Sequence, residues 1–525
     1  MQLNTISLDK TGKFSKLILD YVNNSDALSE FISEKVTLEN FKSKLIEKNL
    51  SKDKRELLVK RLTVQYEDLG FEIADNIPLL ANDNAYAVTT GHQLCLMGGP
   101  QYFIHKIIST IKLSIQLKKA FPDNEFIPIF WLASEDHDFD EINEVKFFRS
   151  KLKIDDSYSG PVGRLDADIF QSVVHQLNEI LGDSINELEI KDLFTRAYQA
   201  GSLSDATSRW VNELFKSFGL VILDADDIEL KRSFSAIIKD ELVNRNSCDL
   251  ISKTSSRLKE LGYNAQVHPR EINLFYIDNN SRERIVFENN KYVVLNTDLS
   301  FSENQILDIL DTNPERFSPN VVMRPVYEES ILPNIAYIGG PGEIAYWLQL
   351  KSNFDRLKIA FPLLILRDSF VMLNPKQVSG FNDLGFKLED VFKPEHTLVK
   401  NFLRSNSKGD MSFQKEEDII NNLKSELLQK VVGIDNSLAG MINAEMTKMN
   451  KLIEKLESRI IKAQKSKQEV SVNKILKFRE AVLPNDSLVE RQESFIPNYV
   501  KYGNEYINHL IKYSDVFNSK LKILT

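Results

Sequence analysis

The chain has 525 residues, 42% hydrophobic and 27% charged, so it has globular composition and more length than one core needs. A formal net charge of −9 excludes a general nucleic-acid binder, whose phosphate contacts require a basic face, but leaves room for a small anionic ligand. Two cysteines, Cys95 and Cys248, exclude a disulfide framework and a four-thiolate metal site.

The N-terminus, "MQLNTISLDKTGKFSKLILDYV", lacks a basic segment followed by an apolar run and a small-residue cleavage site. The apolar runs "FIPIFWLA" and "IAFPLLIL" are too short to cross a bilayer. A soluble, cytoplasmic protein is expected. Residues 9–80 read mainly as amphipathic helix with Lys/Glu faces. "AYAVTT" (85–90) reads as a buried strand, then "GHQLCLMGGP", then a helix over "QYFIHKIISTIKLSIQLKKAF" stopped by Pro122. "FIPIFWLA" is a second strand and "GLVILDADD" (219–227) a third, and "LLILRDSF" (363–370) suits a fourth. Short apolar strands alternating with helices define βαβ units and a mainly parallel sheet, with ligands outside the carboxyl ends of its strands. Residues 150–200 are mixed and polar, whereas 262–300 read as short strands joined by turns such as "DNNSRE".

Further on, Ile442, Met446, Met449, Ile453, Leu456, Ile460 and Ala463 step by three and four, with Lys and Glu between them. That spacing is a coiled-coil seam, which fits a helical hairpin or a subunit contact better than a helix packed on its own domain; Asp435 marks its apolar limit.

Three segments could carry chemistry. In "TTGHQLCLMGGP", a strand ending in Thr-Thr, then Gly91, then a helix places Gly91, His92 and Gln93 around a helix N-terminus, a natural anion site, with His92 as a protonated or donating imidazole. The plain alternative is a turn glycine and a satisfied polar side chain. In "ASEDHDFDEIN", His137 lies between Asp136 and Asp138, which would raise its pKa and fit it for acid–base work; Glu135 could hold an amine. These acids could instead hold Mg²⁺, or form a solvated turn capping the next helix. In "MRPVYEESILPNIAYIGGPGEIAYWLQL", Arg324 is a candidate carboxylate clamp, Gly339, Gly340 and Gly342 surround Pro341 in a tight loop, and Glu343 opens a helix. A surface ion pair and a plain turn are the ordinary readings there. His92, His105 and His137 make only a weak zinc grouping, and no residue is assigned as a metal ligand. Neither a P-loop nor a G-x-G-x-x-G fingerprint occurs.

"TTGHQLCLMGGPQYFIHKIIS", "FWLASEDHDFDEIN", "LGYNAQVHPREINLFY" and "NPERFSPNVVMRPVYEESILPNIAYIGGPGEIAYWLQLKSNF" closely resemble the bacillithiol biosynthesis cysteine-adding enzyme family, in order along nearly the whole chain. Cys95 stands where that family usually has a small or polar residue, and Gly98, Gly99 and Pro100 replace Thr-Gly-Pro, so Cys95 is not expected to be an essential nucleophile. Position 105 is often tyrosine in the family, which weakens His105 as a ligand.

The resemblance implies an α/β fold: a Rossmann-like parallel-sheet core over 1–383 with two connecting-peptide insertions, about 150–200 and 250–318. A coiled-coil dimerisation domain over 384–483 and a C-terminal helix over 484–525, packing on the core or the coiled coil, complete it. The implied reaction is a ligase step, the last of bacillithiol synthesis, joining cysteine to the amine of glucosaminyl-malate as an amide in a homodimer. The residue roles come from side-chain chemistry instead. His137 would be the base, oriented by Asp136 or Asp138, with Glu135 holding an amine. His92, Gly91 and Gln93 would seat the activating anion, and Lys106 would offset its charge. Arg324 would clamp the malate, and Asn143, Tyr337, Gly340 and Glu343 complete the candidate substrate contacts. ATP is admitted as the activator although no motif marks it, and the metal requirement stays open. The alternative is a non-catalytic α/β scaffold or ligand binder that dimerises through its coiled coil.

Overall fold

The computed structural model describes residues 1–148, 150–278, 281–406, 413–432 and 434–525. The chain forms two units, one of Met1–Val371 with Glu490–Leu524, the other centred on Met372–Val489.

The first unit is built on a five-stranded parallel sheet: β1 (Ala85–His92), β2 (Glu125–Leu132), β3 (Val221–Asp224), β4 (Asn334–Gly339) and β5 (Leu363–Leu366), in the order β5-β4-β1-β2-β3. Nearly every residue of these strands is buried, as a sheet covered on both faces requires. Pro128 is tolerated inside β2 because pairing with β3 starts only at Ile129, so that stretch has a neighbour on one side alone. From β1 the chain runs through α1 (Tyr102–Ala120) to β2 and on to β3, then returns to the other side of β1 as β4. The strand order therefore reverses between β1 and β4, where an open α/β sheet leaves a crevice.

Two expectations change here. β1 runs on through His92, and α1 starts only at Tyr102, so Gly91, His92 and Gln93 are not at a helix N-terminus. The intervening loop turns through Gly98 (φ +82°) and Gly99 (φ +55°); a Cβ on Gly99 would meet that of Cys95 at 2.7 Å. "LLILRDSF" is not one strand. It divides into β5 and Ser369–Met372: the Arg367 N–H still bonds the Gly339 carbonyl of β4 at 2.9 Å, but the Asp368 N–H turns to the Ser109 hydroxyl at 2.9 Å, and the two side chains are buried against Glu490 and Lys522.

The region 262–300 contributes four strands, Leu274–Asp278, Ser281–Glu288, Lys291–Val294 and Ser300–Phe301, to an antiparallel sheet completed by Phe317–Pro319. Within the expected turn "DNNSRE", residues 279 and 280 lie outside the described residues. Within 150–200 stand two helices, Gln171–Ile180 and Ile185–Ala197, the second opened by a Ser184/Glu187 capping box. The segment 484–525 is not one helix. It carries Ile496–Tyr502 and Glu505–Tyr513 and ends in the strand Lys520–Leu524, which pairs antiparallel with Leu3–Ser7 at the opposite end of the chain.

In the second unit α4 (Gln414–Val432) and α5 (Ala439–Lys467) pack as a hairpin around Ile420, Ile442 and Met446, with Ile453 partly buried against them. Farther along the seam Met449, Leu456 and Ile460 are exposed. No helix among the described residues is long and apolar enough to cross a membrane.

Candidate active site

A cleft of about 290 Å³ opens at the carboxyl ends of β1, β2 and β4, where the strand order reverses. Its aromatic surface comes from Trp131 at the end of β2, Tyr337 of β4 and Trp347, the last two with rings 4.6 Å apart. Two further helices close it: α2 (Arg324–Ile331), opened by Arg324 with Pro325 beside it, and α3 (Pro341–Trp347).

On one wall Lys106, one turn into α1, reaches Glu343. Its ammonium lies 2.8 and 2.7 Å from the two carboxylate oxygens and also donates to the carbonyl of Gly91. The Tyr337 hydroxyl donates to Glu343 Oε1 at 2.6 Å and the Gly340 N–H to Oε2 at 2.8 Å. Burial alone would raise the Glu343 pKa, but Lys106 outweighs it and holds the carboxyl below its ordinary range. Glu343 is thus a filled acceptor whose work is to fix Lys106. The amide of Gly340 is spent on it too, so that glycine loop does not offer this N–H to a ligand.

On the facing side, Asp136 Oδ2 lies 3.9 Å from the Arg324 guanidinium and accepts from Gln93 Nε2 at 3.2 Å, while Oδ1 takes the backbone N–H of His137 at 2.8 Å. Burial acts to raise the Asp136 pKa; Arg324 and Arg282 override it and lower it. Gln93 also reaches Glu141 at 2.5 Å, tying the β1 loop to the acidic loop. At 3.9 Å the hold on Arg324 is loose, and its guanidinium is the wall cation best able to meet a carboxylate.

His92 lines the cleft, but as a neutral ring. Burial, then the charge of Lys106, pushes its pKa down to about 4. Its Nδ1 lies 2.9 Å from the Gln93 carbonyl and so must donate, which leaves Nε2 as an acceptor. The donating or protonated imidazole expected for an anion is not what this geometry provides. Burial pushes the Cys95 thiol up to about 12.

His137 differs from its expectation as well. Arg282, stacked on Phe275 at 3.9 Å, places Nη1 2.8 Å from His137 Nδ1. A guanidinium can only donate, so Nδ1 is the acceptor and the neutral ring carries its proton on Nε2. Partial burial and then the Arg282 charge lower the His137 pKa, the reverse of the rise expected from flanking carboxylates. The ring stands outside the cleft lining.

Glu135 is not available to an amine. It is buried against Lys231 at 2.6 Å, and Lys231 also holds Asp226 at 2.7 Å. Asp138 is exposed at the head of the short helix Phe139–Ile142, and Asn143 is buried beneath it, donating to Asp140 at 3.4 Å; neither lines the cleft. His105 points into a different network, its Nδ1 2.9 Å from Glu490. Among the described residues no group of three His, Cys, Asp or Glu side chains could hold a metal ion.

Of the residues singled out from sequence, the fold brings Gly91, His92, Gln93, Lys106, Asp136, Arg324, Tyr337 and Glu343 to the cleft. Glu135, His137, Asp138, Asn143 and Gly340 lie outside its lining. Sequence reasoning missed Trp131, Tyr102, Glu328, Tyr346 and Trp347, all of which line it. Trp131 and Trp347 carried a usable signal, since each ends an apolar run at a strand end or in the helix after a glycine loop.

A reversed-order parallel sheet, a charged crevice at its switch point and a separate helical hairpin define an α/β protein of Rossmann type with a coiled-coil unit. Two family descriptions cover the chain end to end: the N-terminal Rossmann-like domain of bacillithiol biosynthesis BshC matches residues 1–368, and the C-terminal coiled-coil domain of BshC matches residues 370–525. Proteins named "Putative cysteine ligase BshC" are similar over their whole length. Identity is 42% over 97% of both chains in Flavobacterium psychrophilum, 41% over the whole of both in Flavobacterium johnsoniae, and 39% over 100% of this chain and 99% of the relative in Christiangramia forsetii. This chain belongs to the BshC family of bacillithiol biosynthesis.

Proposed function

We propose that the chain is a ligase that joins the carboxyl group of cysteine to the amine of glucosaminyl-malate, the closing step of bacillithiol synthesis. The observation that carries this reading is the cleft itself. A loosely held guanidinium, Arg324, suited to the malate carboxylates, faces an aromatic surface suited to a sugar ring, within a chain whose relatives bear the cysteine-ligase name.

Amide formation from a free carboxylate is uphill in water, so the cysteine carboxyl is taken to react as a mixed anhydride with phosphate, and ATP is the proposed source of that activation. The cleft walls do not suit a triphosphate: Lys106 and the Gly340 amide are both committed to Glu343, which leaves Arg324 as the main free donor. No step inside the cleft is assigned to the nucleotide. The resemblance of this chain to relatives with one name supports catalysis over a scaffold role.

Purified protein given cysteine, glucosaminyl-malate and ATP should yield the amide by mass spectrometry, and deletion of the gene should remove bacillithiol from the cell's low-molecular-weight thiols. A deletion strain with normal bacillithiol would reject the reading.

We also infer a homodimer through α5, whose Met449, Leu452, Leu456 and Ile460 form an exposed stripe at helical spacing. Leu456→Glu should convert the protein to a monomer in sedimentation equilibrium; an unchanged dimer would place the contact elsewhere.

A further inference from the structure

The charged walls of the cleft are nearly closed books. Glu343 is held by Lys106, Tyr337 and the Gly340 amide, and Asp136 by Gln93, its own loop and, at a distance, Arg324. Glu328 is different. It stands one turn along α2 from Arg324, on the same helix face, lines the cleft, and is only 4% exposed. Its Oε1 is buried and receives no hydrogen bond. A second lining residue, Trp347, has a buried indole N–H with no acceptor. An unmet buried polar atom costs about 1–3 kcal/mol, so two in the wall of one crevice call for an explanation. A ligand that brings a cation for the carboxyl and an acceptor for the indole supplies it.

We propose that Glu328 seats the primary ammonium of the acceptor substrate and takes its proton as the amide forms. This rests on the ligase reading above. In the step, the ammonium gives one proton to the Glu328 carboxylate, and the freed lone pair forms the N–C bond to the phosphate-activated cysteine carbonyl. The C–O bond to phosphate then breaks, and phosphate leaves with that electron pair and with the second N–H proton. One amide, one hydrogen phosphate and one protonated Glu328 result, and the charges balance.

The surroundings favour this role. Burial, then the nearby charges of Glu329 and Glu343, pushes the Glu328 pKa well above the ordinary carboxylate range, which makes it more basic. An arriving ammonium provides the counter-charge that the protein withholds. The competing candidates are weaker: Glu343 is saturated, Nε2 of His137 already carries the ring proton, and His92, whose Nε2 can accept, is a poor base because burial pushes its pKa down to about 4.

The test is Glu328→Gln, which keeps shape and burial. Because the folded pKa of Glu328 is raised, its contribution to stability is full below the unfolded value of 4.5 and is lost as pH climbs through the folded value. The amide variant escapes that loss and should melt at or above the wild-type temperature at pH 7.5. Its kcat/KM for glucosaminyl-malate should fall by about 100-fold or more. The rise of wild-type rate with pH that reports Glu328 should vanish in the variant, and Glu328→Asp should recover part of the rate. A folded Gln variant with wild-type turnover and an unchanged pH profile overturns the assignment and leaves the ligase reading standing. A wild-type protein that makes no amide under these conditions and a deletion strain with normal bacillithiol would overturn both.

Discussion

Two stretches of the same sheet rim carry dense charge, and they are built on opposite plans. Over β2 and β3, Lys231 sits between Glu135 and Asp226, Arg164 meets Asp226 with two hydrogen bonds of 2.7 and 2.9 Å, and Asp224 accepts from Ser134 and Ser204. Each acid there has a partner within the protein: Lys231 for Glu135, Lys231 and Arg164 for Asp226, and two serine hydroxyls for Asp224. Over the reversal between β1 and β4, Arg324 is held at 3.9 Å and Glu328 has an orphan oxygen. The difference teaches that acids at strand ends do not by themselves mark a site. Where the counter-charges are internal the rim is framework, and where they are missing it is prepared for a ligand.

The sharpest way to break this comparison is to open the closed rim. Lys231→Met keeps most of the buried volume but strips Glu135 of its cation, and should destabilise the fold by about 3–5 kcal/mol, read as a lower urea midpoint. Adding Glu135→Gln should recover much of that loss, because the penalty is the stranded charge rather than the missing stem. The pH dependence follows from two neighbours that titrate in opposite senses. Burial would raise the Asp226 pKa, but Lys231 and Arg164 bring it to about 2, so its stabilisation is present above 3.8 and disappears as pH falls toward 2. Burial, joined by the Asp226 charge, pushes Asp224 up to about 6, so its contribution is full below 3.8 and is lost as pH rises through 6. Lys231→Met should weaken the acid tolerance owed to Asp226. A variant as stable as wild type at pH 7 and pH 3 would show that the rim is not held by these pairs.

What could be read from the residues follows from how local each signal is. The strands announce themselves as short apolar runs, and the acids after "FIPIFWLA" and "GLVILD" mark the carboxyl rim, because burial pattern and strand direction are properties of one stretch of chain. The state of His137 was not legible: Arg282, which fixes its tautomer and depresses its pKa, is 145 positions away. Likewise Glu135 looks free until the fold brings Lys231 under it. Glu328 was passed over because "VYEES" reads as a helix with an ordinary polar face, and only packing reveals that this face is buried. The strand Leu3–Ser7 escaped notice because its partner, Lys520–Leu524, is at the far end of the chain.

The smaller effect belongs on the open rim, where the protein should tolerate change and the substrate should not. Arg324→Lys preserves charge but removes the planar fork that can meet a carboxylate with two parallel hydrogen bonds. Its present partner is Asp136 at 3.9 Å, a contact too long to stabilise the fold much, so the melting temperature should hardly move. The KM for glucosaminyl-malate should rise about tenfold, the worth of one charge-assisted hydrogen bond, while the KM for cysteine stays near its wild-type value. Equal increases for both substrates would mean that Arg324 shapes the cleft instead of gripping the malate. A large fall in stability would mean that this rim, too, is framework, and the contrast between the two halves would have to be given up.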